Sequence, residues 1–143
     1  MNRQLISRSY LQVATQTASR GQLVLMLYEG AIRFLERALG GFAIDDPAEC
    51  NETINNNIQR AQAILDELNS ALNVEDGGEL ADRLRALYHY MDERLQTANL
   101  KKTTPEVEEV IVHLTTLRDA WREMLCQDTA PDEARLSGLA VVG

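Results

Sequence analysis

Histidine and cysteine are the side chains best suited to proton transfer, phosphoryl acceptance or metal binding near neutral pH. The chain holds two of each, His89, His113, Cys50 and Cys126. No two of these four stand three or four residues apart, so none pairs with another across a single helical turn to grip a metal. A di-iron bundle needs Glu three residues before an inward His, and here Ala86 and Val110 occupy those positions. A phosphotransfer histidine fares poorly as well. His89 lies in Leu87-Tyr88-His89-Tyr90-Met91-Asp92-Glu93, where bulky rings crowd it and two carboxylates would repel a phosphoryl group. No serine sits in a G-x-S-x-G turn, and the glycine pairs fit no phosphate loop. The expectation is therefore a protein that is not an enzyme and has neither metal nor cofactor. The two cysteines, widely separated and outside any C-x-x-C spacing, read as ordinary thiols of a reducing compartment.

What the chain offers in place of reactive groups is apolar surface on an acidic body. At 143 residues it is sized for one domain, and 14 Lys+Arg against 22 Asp+Glu leave a net charge of -8. That balance disfavours nucleic acid and polybasic attachment to membranes, both of which need clustered cations. Hydrophobic residues at 45% can build a core, while 5% aromatics and three prolines favour helices. No apolar run approaches the ~18 residues of a membrane span, and the first twenty residues lack the apolar stretch of a secretory signal. A cytoplasmic protein with no membrane insertion is the expectation.

Four periodic segments must carry that surface. Ser19-Arg20-Gly21-Gln22 has the form of a capping box, so the first helix should start there. Leu23, Met26, Leu27, Ala31, Phe34, Leu35 and Ala38 step by threes and fours until Gly40-Gly41 stops them. Asp46-Pro47-Ala48-Glu49 opens a second helix, whose Ile54, Ile58, Ala61, Leu65, Leu68 and Leu72 keep an a/d rhythm. Gly77-Gly78 separates it from Leu80, Leu84, Leu87, Met91, Leu95 and Ala98, and Thr104-Pro105 opens a fourth stripe from Val107 to Leu125 through Trp121. Helices joined by a few residues run antiparallel to their neighbours. The predicted fold is all-α, an antiparallel up-down four-helix bundle over 19–127, with an N-terminal lid or cap segment at 1–18 and a loose C-terminal tail at 128–143. Trp121 and Leu84 are placed in the bundle interior by spacing.

The apolar arc of the first helix covers well over half its wheel, where a single core stripe needs about 100°. Ahead of it, Leu5, Ile6, Tyr10, Leu11, Val13 and Ala14 add large side chains, with Ile6, Tyr10 and Val13 at i, i+4 and i+7. Either this lead is a permanent flap, or it fills a groove that a partner's segment takes over; periodicity leaves both open.

The strings Tyr10-Leu11-Gln12-Val13, Thr17-Ala18-Ser19 and Leu23 to Ala31, followed by Gly77-Gly78-Glu79-Leu80-Ala81, Leu87 to Met91, Ala98-Asn99-Leu100, Glu108-Glu109-Val110 and Asp119-Ala120-Trp121, together resemble the flagellar secretion chaperone family FliS. The blocks keep the family's order from about Tyr10 to Trp121. Arg20 departs from the family's usual Pro, and His89 from its usual Asp. The resemblance implies a chaperone of bacterial flagellum biogenesis and type III protein export. Such a protein binds the disordered C-terminal segment of flagellin in apolar grooves, prevents premature polymerisation and aids delivery to the flagellar export gate. A homodimer is a further partner to be expected. Ile6, Tyr10 and Val13 are the nominated lid residues. Tyr28, Ile32, Ile64, Tyr88 and Tyr90 are the nominated groove residues, because each is a large side chain at the margin of its helix's stripe. Two other classes compete: a phosphorelay bundle, which would take label on His89 or His113, and a homodimeric adaptor indifferent to flagellin.

Overall fold

The first helix starts where local hydrogen bonding starts it. In the computed structural model, which describes residues 19–74 and 78–142, the Ser19 hydroxyl accepts from the Gln22 N–H at 3.1 Å and the Ser19 N–H donates to Gln22 Oε1 at 3.0 Å. This reciprocal box opens α1, Arg20–Gly41. Asp46 Oδ2 accepts from the Glu49 N–H at 2.9 Å, and Pro47 begins α2, Pro47–Val74. Gly78, at φ 131°, has a backbone that L side chains rarely adopt, and leads into α3, Glu79–Lys101. Lys102 in the left-handed region closes α3, and Pro105 opens α4, Pro105–Val142. All four start points match the sequence signals.

The last helix runs past Asp128. Residues 128–142, read from sequence as a tail without dependable periodicity, continue the α4 backbone despite Pro131 and Gly138. The run Asp132-Glu133-Ala134-Arg135-Leu136 between those breakers is rich in helix formers, which sustains the helix locally.

Consecutive helices are joined by residues 42–46, 75–78 and 102–104, and each packs on its sequence neighbour. α4 also packs on α1, so the four close into a ring around one core. The i, i+3/i+4 stripes meet inside: Ala31, Leu35 and Ala38 from α1, Ile54, Ile58, Ala61, Leu65 and Leu68 from α2, Met91, Leu95 and Ala98 from α3, and Val107, Val110 and Leu114 from α4. Alanines stand in three of the four stripes, which lets axes approach closely. At the end of α1, Gly41 does the same: a Cβ there would lie 3.0 Å from Thr53 Cγ2 and 3.1 Å from Ile54 Cγ1. No helix among the described residues is long and apolar enough to cross a membrane. Neither Cys50 nor Cys126 takes part in a disulfide among the described residues.

Candidate functional site

Antiparallel topology brings the start of α1, the end of α2, the start of α3 and Trp121–Leu125 of α4 to the same end of the bundle. There the stripes run beyond the last closed layer of the core. Val24 and Tyr28, Leu68 and Leu72, Leu84 and Tyr88, and Trp121 and Leu125 enclose a cavity of about 650 Å³. That volume falls in the roughly 300–1,000 Å³ range of ligand sites. Leu80, 72% exposed, and Met124, 39% exposed, form apolar rim, and Arg20 and Glu79 supply its charge.

Close contact of α1 with α4 shapes one wall. At Gly21 the approach is tight: a Cβ there would come within 2.5 Å of Leu125 Cδ2, so that side chain would have to shift. Beside it the Trp121 Nε1–H donates to the Gly21 carbonyl at 2.8 Å, and the Trp121 ring meets Tyr28 edge-on, with centroids 6.4 Å apart. The floor is a tyrosine pair from diagonally opposed helices. Tyr28 Oη and Tyr88 Oη lie 2.5 Å apart, and the residues are only 1% and 4% exposed. Burial raises both phenols above their ordinary range, and for Tyr88 the neighbouring Tyr28 adds to the rise. Both therefore stay neutral at physiological pH. Two hydroxyls carry two protons, of which their mutual bond uses one. The groove thus presents largely apolar walls over a floor of two neutral, mutually hydrogen-bonded phenols. Among the described residues its lining includes no Ser, Thr, Cys, His or Lys.

The nominated residues separate into several places. Tyr28 and Tyr88 form the groove floor. Ile32, one turn on from Tyr28, is 5% exposed inside the core and is not among the described residues lining this groove. Ile64 is half-buried on the α1–α2 face, where Gly30 leaves room for it. Tyr90 is 42% exposed on the α3–α4 face. Its hydroxyl donates to the Glu109 carboxylate, which also accepts from Arg94 Nε at 3.0 Å, and its ring stands edge-on to His113. The Tyr90 bond, helped by Arg94, holds the Glu109 carboxyl below its usual range. Ile6, Tyr10 and Val13 lie outside the described residues. Trp121 and Leu84, expected in the interior, pack against the core but are half-buried as groove walls.

The nominations did not include Val24, Leu68, Leu72, Leu80, Ala81, Met124 or Leu125. The pairs Leu68/Leu72, Leu80/Leu84 and Trp121/Leu125, each at i, i+4, could have revealed the site once helix ends were aligned by antiparallel topology. His89 is exposed and reaches Glu93 at 3.1 Å, while His113 lies 3.5 Å from Glu109. Among the described residues no group of three His, Cys, Asp or Glu could hold a metal ion.

A ring of four helices with a largely apolar end groove is an architecture able to cover another molecule's apolar surface. The model of the family described as flagellar protein FliS matches residues 2–128. The chain is 37% identical over 132 residues to the flagellar secretion chaperone FliS of Bacillus subtilis (strain 168), covering 92% of this chain and 94% of that one. It is 35% identical over 122 residues to the same-named protein of Salmonella typhimurium (strain LT2), covering 82% and 87%. Against that of Escherichia coli (strain K12) it is 34% identical over 124 residues, covering 83% and 88%. This chain belongs to the FliS family of flagellar chaperones, and it is not an enzyme.

Proposed function

We propose that this chain is a cytoplasmic flagellar export chaperone that takes the C-terminal segment of flagellin into the end groove, prevents its premature polymerisation and aids its delivery to the flagellar type III export gate. The observation that carries the reading is the 650 Å³ apolar groove with its exposed rim, on a chain whose relatives are named flagellar secretion chaperones. A segment that packs as an amphipathic helix in a filament exposes an apolar stripe while unassembled, and an apolar groove is the surface that covers such a stripe.

Binding is helix-in-groove. The client loses chain entropy as it orders and gains burial of its apolar face, so affinity stays moderate and release needs no nucleotide. Val24, Leu72, Leu84, Trp121 and Leu125 supply the walls, and the rings of the Tyr28–Tyr88 pair supply the floor. Residues 1–18 act as the lid, with Ile6, Tyr10 and Val13 covering the groove before the client arrives. Support comes from the point where the lead joins the bundle, since Arg20 and Gly21 themselves line the groove. A lid closed ~97% of the time weakens apparent binding about thirtyfold, or about 2 kcal/mol. Without client, the apolar rim at Leu80 and Met124 also serves as the contact of a homodimer.

The test is co-purification and calorimetry with flagellin from the same organism, full-length and lacking its C-terminal segment. The reading predicts that truncated flagellin is not retained; equal retention of both forms would remove the C-terminal segment from the account. Deleting residues 1–15 should leave helical content intact and tighten client binding, whereas loss of cooperative folding would make the lead part of the core.

A further inference from the structure

In a chain of net charge -8, three arginines gather along the seam of α1 and α2. Arg33 and Arg37 stand one turn apart on α1 and Arg60 on α2, and all three are exposed. The guanidinium carbons of Arg37 and Arg60 each lie over the Phe34 ring, 5.6 Å from its centroid, while Phe34 is itself half-buried against the core. Arg33 sits at the same seam: a Cβ built on Gly30 would lie 3.8 Å from Arg33 Nη2 and 3.3 Å from Ile64 Cδ1.

These three arginines differ from others in the bundle. Arg83, Arg85, Arg94, Arg118 and Arg122 each meet a carboxylate within 3.0 Å. Among the described residues Arg33, Arg37 and Arg60 meet none, and Glu29, one turn before Arg33, is engaged by Arg122 at 3.0 Å. A guanidinium stacked on an aromatic ring has its plane held by the ring and keeps its N–H edge free for a planar anion. Two such groups on one ring repel each other until an anion arrives between them.

We propose that this α1–α2 face docks an acidic segment of a partner protein, with carboxylates forking onto Arg37 and Arg60 around Phe34 and a further acid meeting Arg33. Charge complementarity selects this occupant. An extended polyanion such as RNA or an anionic bilayer would reach past the patch onto the acidic remainder of the chain. A short acidic peptide stays within a Debye length, about 8 Å at physiological salt, of the three cations. None of these residues lines the end groove, so docking here goes beyond client binding and leaves the groove open.

The full chain is titrated at low salt with a fluorescein-labelled, terminally blocked Glu-Glu-Leu-Asp-Glu-Glu peptide, followed by anisotropy, beside its Gln/Asn counterpart. The comparison protein is the Arg37→Gln/Arg60→Gln double variant, whose exposed positions keep the fold, as an unchanged thermal melt verifies. Expected is saturable binding below about 1 mM that weakens at least about tenfold in the double variant. The Gln/Asn peptide should show the same loss. The proposal is overturned by equal binding to both proteins, by no saturation up to that concentration, or by preferential binding of polyuridylate or phosphatidylglycerol vesicles. A dimer in light scattering that dissociates in the double variant would also overturn it, assigning the face to a second copy of this chain.

Discussion

Raising the pH above the ordinary phenol range should unfold this protein through Tyr28 and Tyr88. Burial raises both phenols in the fold, whereas in the unfolded chain each titrates near its ordinary value of about 10. A group whose folded pKa is raised contributes stability in full below its unfolded pKa. That contribution is lost as pH climbs from there towards the folded value. At pH 11 an unfolded phenol gains about 1.4 kcal/mol by ionising, so a pair still protonated in the fold loses roughly 3 kcal/mol of stability at most. The comparison protein is Tyr28→Phe/Tyr88→Phe. It removes both titrating groups and both partners of the 2.5 Å bond, so no single hydroxyl is stranded and stability at pH 7 should change little. Urea unfolding at pH 9 and pH 11, followed by circular dichroism and by the fluorescence of Trp121, measures both proteins. Every other side chain is common to the two proteins, so the difference between them isolates this pair. The native chain should lose up to that margin more than the double variant; equal losses would refute the buried pair.

Truncating the fully buried Leu35 to Ala should cost about 2–5 kcal/mol in urea unfolding, because its neighbours from other helices cannot all follow into the space. A cost below 1 kcal/mol would contradict the closed core. Ser19→Ala removes the acceptor of the Gln22 N–H and should cost about 1 kcal/mol, with faster amide exchange confined to the first turn of α1.

Helix starts were legible because they are local: Ser19 with Gln22, Asp46 with Glu49, and the prolines at 47 and 105 each act within one turn. Core stripes were legible for a similar reason, since period and breakers alone determine which residues share a face. Axial position was not. A helical wheel marks Tyr28, Ile32, Ile64, Tyr88 and Tyr90 alike as marginal. Only packing separates Tyr28 and Tyr88 in the groove from Ile32 in the core, Ile64 on the α1–α2 seam and Tyr90 against Glu109. Trp121 and Leu84 belong to core stripes by spacing, yet they stand where the bundle opens, so the same spacing yields groove walls. Length of α4 was hidden by Pro131 and Gly138, which break the pattern without ending the backbone helix.

The central claim is that flagellin's C-terminal segment occupies the end groove, and Leu80 and Met124 test it with the least disturbance to folding. Both are exposed rim residues, so Leu80→Glu/Met124→Glu should move the melt by no more than surface substitutions do, about 0.5 kcal/mol each. Calorimetric titration with the C-terminal segment of flagellin is run on both proteins, with Trp121, the chain's single tryptophan and a groove wall, as an optical reporter. Groove occupation predicts that the double variant binds more weakly by over about 1.5 kcal/mol, roughly tenfold, and that the Trp121 emission shift seen with the native chain disappears. Unchanged affinity in a variant with a preserved melt would place the client somewhere other than this groove.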